Sequence, residues 1–133
     1  MSYLLDTNAC IELVNERNTL IAQKLAMIDS PMVMVCSVVK AELYHDAYKS
    51  NRRDENLSVL MRFFERFESL AFDDAAAEQY GRLRAFLSKQ GTLIGPNDLL
   101  SAAIALANNV TLVTHNTDEF QRVPGLQMQD WQA

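Results

Sequence analysis

Tyr3-Leu4-Leu5-Asp6-Thr7-Asn8 is the stretch on which the fold turns. A short apolar run stops abruptly at a carboxylate, a hydroxyl and an amide. Helix-like spacing takes over at once, with Ile11, Leu13 and Val14. The reading is a buried first strand, Ser2 to Leu5, that delivers Asp6 at its carboxyl end. In open α/β sheets, ligands bind just beyond the carboxyl ends of the strands. The competing reading is that Asp6 or Thr7 does no more than cap the next helix. The rest of the chain decides between them.

The same grammar recurs further along. Met32-Val33-Met34-Val35-Cys36 is a continuous apolar run of strand length, which suits a strand covered on both faces of a parallel sheet. Val110-Thr111-Leu112-Val113 is another, and it too ends in a polar cluster, Thr114-His115-Asn116-Thr117-Asp118-Glu119-Phe120. Leu70-Ala71-Phe72 and Leu126 to Met128 are shorter candidates. Between the strands lie helical patterns. The first runs from Ala9 to Asn15. A polar turn over 15–18 follows, and Thr19 caps a second helix with Leu20, Ile21, Leu25 and Ile28 on its apolar side, ended by Ser30-Pro31. Ser37 opens a third, to about Lys49. Ser50 to Glu55 reads as a turn. Asp73 and Asp74 cap a helix bearing Ala76, Tyr80, Leu83 and Leu87, which Gly91 stops. Gly95-Pro96 makes a tight turn into the last, with Leu100, Ala103, Ile104 and Ala107 on its buried stripe. The order β-α-α-β-α-α-β-α-α-β predicts an α/β fold, a central parallel sheet with helices on both faces.

A chain of 133 residues that is 49% hydrophobic suits one domain, 1–133, with a real core. No signal peptide is expected, and no run approaches the ~18 apolar residues of a membrane span. The two cysteines, Cys10 and Cys36, form no CxxC motif; they fit a reducing compartment as small buried hydrophobes. With four glycines there is no P-loop or dinucleotide fingerprint. His45 and His115 lack zinc spacing and are expected at the surface or behind a site. Leu57 to Phe67 is apolar on more than one face, so one face is expected in the core and the other against a second chain. The net charge of −5 argues against binding nucleic acid by bulk charge, but carboxylates gathered at a cation would be neutralised by it.

Acids accumulate where the sheet would gather them. Asp6 and the Thr114–Glu119 cluster both follow strands. Glu42 follows the second strand by about one and a half helical turns and shares a face with Val38, either turned to the site or at the solvent edge of the stripe. Asp98 falls in the first turn of its helix, where a simple capping role competes. Oxygen donors from four distant segments would bind a hard divalent cation such as Mg²⁺ or Mn²⁺. A cation held this way activates water for attack on a phosphodiester.

These motifs together, Leu5-Asp6-Thr7-Asn8, Ala41-Glu42-Leu43, Gly95-Pro96-Asn97-Asp98-Leu99 and Val113-Thr114-His115-Asn116-Thr117-Asp118-Glu119-Phe120, resemble the PIN-domain ribonucleases, specifically the VapC toxins of bacterial VapBC toxin–antitoxin modules. The resemblance covers nearly the whole chain. It implies a PIN-like (5′-nuclease-like) parallel sheet and a Mg²⁺- or Mn²⁺-dependent endoribonuclease of the bacterial cytoplasm. Such a toxin blocks translation by cutting a tRNA or another structured RNA. It also implies a homodimer, inhibited by a cognate VapB-type antitoxin in a larger complex that meets operator DNA through the antitoxin.

Carried over by residue, the resemblance makes Asp6 and Asp98 metal ligands and Glu42 the third acid. Where many PIN domains have an Asp two residues after the Thr matching Thr114, this chain has Asn116. Asn116 is then expected nearest the metal, holding one of its waters. Glu119, with Asp118 as the weaker candidate, would supply the charge from further out. Thr7, Asn8 and Thr114 would orient the carboxylates by hydrogen bonds. Two other classes fit the residues less well. An aspartyl phosphatase would want an acid at Asn8 and a Lys after a later strand, and has neither. A degenerate fold used only for binding would not keep Asp6, Glu42 and Asp98 together.

Overall fold

The structure is a computed structural model that describes residues 1–16 and 19–133, the side chain of Thr19 excepted. The described elements are β1 (Tyr3–Leu5), α1 (Thr7–Asn15), α2 (Thr19–Ala26), β2 (Val33–Cys36), α3 (Ser37–Lys49), α4 (Arg53–Phe64), β3 (Glu68–Leu70), α5 (Asp74–Gln90), α6 (Pro96–Asn108), β4 (Thr111–Val113), α7 (Thr117–Phe120) and β5 (Met128–Gln129). A short 3₁₀ turn, Ser30–Met32, leads into β2.

The five strands form one sheet in the order β3-β2-β1-β4-β5. Every pairing is parallel, with Leu4 beside Met34 on one side and Leu112 on the other. The opening stretch is therefore the middle of the sheet. Leu4 and Leu5 have no exposed surface, and neither do Val33, Val35 and Leu112. Burial of such side chains is worth about 1.5–3 kcal/mol each, and it leaves these short strands little choice of register. Because all strands point the same way, their carboxyl ends share one edge, where Asp6, Ser37, Thr114 and Asp130 stand.

The ordered alternation expected from the sequence is present, with local differences. Ser2 lies outside β1, and α1 begins at Thr7 rather than Ala9. The cap of α2 falls at 17–18, outside the described residues. Most of the polar stretch after Ser50 is not a turn: α4 starts at Arg53, because Asp54 and Glu55 complement the N-terminal end of the helix dipole. β3, Glu68–Leu70, shares only Leu70 with the predicted Leu70-Ala71-Phe72, and β5, Met128–Gln129, shares only Met128 with the predicted Leu126 to Met128. Of the stretch Leu57 to Phe67, one part faces the core: Phe63 packs there beside Phe64 and Phe67. Val59, half-buried, lines a cleft of about 410 Å³ with Ile11, Val14, Leu43, Leu60 and the polar Asn15, Asp46 and Asn56. Cys10 and Cys36 are free and buried, and Trp131 packs edge-on against Tyr3.

Candidate active site

Asp6 leaves the central strand in extended geometry (φ −79°, ψ 176°) and becomes the N-cap of α1. Its Oδ1 accepts the Ala9 N–H at 2.8 Å. The capping reading is thus realised, and by the same residue that stands at the centre of the carboxyl edge. Only 7% of Asp6 is exposed. Burial raises its pKa, and the negative charges of Glu42 and Asp130 push the same way. Hydrogen bonds from the Thr114 hydroxyl and the Ala9 amide oppose the rise. Thr114 is thus hydrogen-bonded to Asp6.

Glu42 is half-buried on α3 and accepts the Thr7 hydroxyl on Oε1 at 2.8 Å. The bond ties the first turn of α1 to α3 across a separation of 35 residues and keeps Glu42 at the site rather than in solvent. A groove of about 420 Å³ between α3 and α6, lined by Val38, Glu42, His45, Asn97 and Leu100, opens beside it. Asn8 is exposed, and among the described residues no hydrogen bond joins it to an acid.

Asp98 is not a cap. Gly95 occupies the N-cap of α6, Pro96 its first turn, and Asp98 comes two residues later. Its pKa is raised from 3.8 to about 7, first by burial and then by the charge of Glu119, with Asp6 and Glu42 adding to it. Glu119, on α7, accepts the Gly95 N–H on Oε1 at 2.8 Å and the Asn116 side-chain amide on Oε2 at 2.7 Å. These bonds lower its pKa, helped by Arg122. Asp98 and Glu119 also share a side-chain hydrogen bond, which raises the Asp98 pKa and lowers that of Glu119. Of the two candidates, Glu119 is the one that acts on Asp98. Glu119 stands against Asp98, and Asn116 spends its amide on holding Glu119. The physical reason is the tight turn: the Asn116 N–H is taken by the Thr114 hydroxyl at 3.0 Å, which folds the chain so that Asn116 faces along α7. Asp118 is exposed.

One acid escaped the sequence reading. Asp130 follows β5, acts on Asp6 electrostatically, and lies 2.9 Å from His115 Nδ1. The signal was present, since an acid directly after a strand is the pattern that singled out Asp6, but the last strand was drawn too early. His45 is exposed, as expected.

The edge thus carries an uncompensated acidic cluster. Among the described residues, no ion pair includes Asp6, Glu42, Asp98 or Glu119. Nor do three His, Cys, Asp or Glu side chains there converge tightly enough to enclose an ion as they are placed. Asp6, Glu42 and Glu119 are instead turned to protein donors, and Asp98 to Glu119. The donor set nevertheless fits a hard divalent cation: every group is a carboxylate oxygen, and crowding already holds a proton on one of them. The backbone leaves room as well. A Cβ built on Gly95 would point between two carboxylates, 3.4 Å from Asp98 Oδ2 and 3.6 Å from Glu119 Oε1.

An open parallel sheet with acids from β1, α3, α6 and α7 gathered at its carboxyl edge is the plan of a nuclease fold. The chain belongs to the PIN-domain family, whose model matches residues 3–126. It is 38% identical over 132 residues to ribonuclease VapC2 of Rickettsia felis, covering 98% of each chain. It is 36% identical over 131 residues to the tRNA(fMet)-specific endonuclease VapC of Shigella flexneri, again covering 98% of each. Among solved structures it is similar to VapBC2 from Rickettsia felis bound to a DNA fragment from its promoter, with TM-score 0.92 and 36% identity over 98% of this chain and 99% of that one. No helix among the described residues is long and apolar enough to cross a membrane.

Proposed function

We propose that this chain is a divalent-metal-dependent endoribonuclease, the toxin of a VapBC-type module, that cuts a tRNA or another structured RNA and so blocks translation. The observation that carries the reading is the uncompensated carboxylate cluster of Asp6, Glu42, Asp98 and Glu119 at one sheet edge, with Asp98 held near neutrality. Asp6 and Asp98 would hold the cation, Mg²⁺ or Mn²⁺, with Glu42 the third acid. When bound, the cation supplies charge neutralisation at the phosphodiester and activation of a water. Glu42, steadied by the Thr7 hydroxyl, is placed to orient that water and take its proton. Glu119 fixes the first turn of α6 by its bond to the Gly95 N–H, and so fixes Asp98. Asn116 and Thr114 hold Glu119 and Asp6 in turn.

The similarity to a VapBC complex bound to promoter DNA supports a VapB-type antitoxin as partner. The toxin would be a homodimer and would meet operator DNA only through the antitoxin. The cleft between α1, α3 and α4 that Val59 lines is the surface we assign to the antitoxin. The test is induction of the protein in bacterial cells, followed by mapping of new RNA 5′ ends, with Asp6→Asn as control. New ends at a defined site that vanish with Asp6→Asn are expected. Their persistence with Asp6→Asn would refute the assignment of the site.

A further inference from the structure

His115 stands at the carboxyl end of β4, one residue past buried Thr114, with 57% of its side chain exposed. Its Nδ1 lies 2.9 Å from Asp130 Oδ2. Asp130 is itself held: its other oxygen accepts the Gln132 N–H at 2.9 Å, and only 20% of its side chain is exposed. A fixed carboxylate fixes the ring. A carboxylate can only accept, so of the two neutral tautomers the contact selects the one with the hydrogen on Nδ1 and the lone pair on Nε2. Among the described residues no donor reaches Nε2. The ring also borders the acids, for Asp130 acts on Asp6 and the neighbouring Asn116 holds Glu119.

An acceptor in that place needs a donor from the substrate. Along a nucleic-acid backbone the phosphate and ring oxygens only accept, and the one sugar donor is the 2′-hydroxyl, which DNA lacks. We propose that His115 accepts a hydrogen bond from the 2′-hydroxyl of a nucleotide bordering the cleaved phosphodiester, and that Asp130 positions it for this. The site would then distinguish RNA from DNA by a specificity residue outside the carboxylate set. The inference rests on the ribonuclease reading above.

The experiment measures kcat/KM on a synthetic RNA spanning the mapped cut site and on a series in which one ribose at a time is replaced by 2′-deoxyribose. Wild type, His115→Ala and His115→Gln are compared, with melting curves to confirm folding. Wild type should lose roughly 3–10-fold at one position, the worth of one hydrogen bond. His115→Ala should show that loss on the all-ribose RNA and be indifferent to the sugar at that position. His115→Gln, which keeps an acceptor oxygen, should recover part of the discrimination. The proposal is overturned if His115→Ala keeps the sensitivity of wild type at every position, if wild type shows none, or if the loss follows the base rather than the sugar. Cleavage of the all-ribose RNA by wild type reports separately on the ribonuclease reading, whose failure would take this inference with it.

Discussion

Replacing Asp98 by Asn should stabilise the metal-free protein, and the gain should appear only as the pH rises. Burial and the neighbouring acids raise the Asp98 pKa from 3.8 to about 7 in the folded state. A carboxyl with a raised folded pKa contributes stability that is complete below its unfolded pKa and is lost as pH climbs through the folded one. The window is therefore pH 4 to 7. At 1.36 kcal/mol per pH unit, the interval from 3.8 to about 7 amounts to about 4 kcal/mol for a fully buried group. Asp98 is only half-buried, and screening by water reduces this to the order of 1–2 kcal/mol. Asp98→Asn escapes the loss, so it should exceed wild type by about that amount at pH 8 and by almost nothing at pH 4.5. Glu119 has a lowered pKa, and its own effect belongs to the acid side, below about pH 4.5. Asp6, also raised, adds equally to both proteins. The assay is urea denaturation in EDTA at several pH values, or melting curves, where each kcal/mol moves Tm by roughly 3–6 °C. Saturating Mn²⁺ should remove the advantage by stabilising wild type. An Asp98→Asn gain that is the same at pH 4.5 and pH 8, or no gain at pH 8, would refute the electrostatic account of the cluster.

Three further outcomes follow from the site. Glu42→Gln should cut RNA at least ~100-fold more slowly with unchanged folding, since it keeps the Thr7 bond and loses only the proton-accepting charge; wild-type rates would return Glu42 to the helix surface. Gly95→Ala should fold normally, because φ −55° suits alanine and contacts of 3.4 and 3.6 Å are ordinary, yet its methyl group fills the space between two carboxylates. Mn²⁺ affinity, followed by calorimetry, should fall about tenfold or more, and unchanged affinity would place the cation elsewhere. Glu119→Gln should let the Asp98 pKa drift back toward the carboxylate range, seen by carboxyl ¹³C NMR, with the Gly95 bond preserved through the amide oxygen; an Asp98 titration that stays near 7 would mean burial alone sets it.

The parts of the fold legible in the chain were those written as uninterrupted burial. Leu4-Leu5 and Val33 to Cys36 are covered on both faces, so their composition admits little but a parallel strand. Caps were legible for the same local reason: Asp73 and Gly91 bound α5 where their chemistry says. β3 and β5 were misplaced because edge strands of three and two residues carry almost no pattern. Asp6, Glu42 and Asp98 stand out as candidates because each sits at a fixed offset from a strand or a helix start. The pairing of Glu119 with Asp98 does not, since it depends on Gly95, 24 residues away from Glu119, offering an N–H to it. Asp130 was missed with the strand that delivers it.

The strand order β3-β2-β1-β4-β5 puts the first strand made between one neighbour made early and another made near the end. Asp6 leaves the ribosome first among the acids, but Glu119 comes 113 residues later, and at about 5–20 residues per second that interval is roughly 6 to 20 seconds. Until β4 is inserted, one flank of β1 is open, Thr114 and Glu119 are not yet in place beside Asp6 and Asp98, and the carboxylate cluster is incomplete. A growing chain is therefore harmless to the RNA that surrounds it during its own synthesis. The cluster closes only when the last quarter of the polypeptide is free to fold.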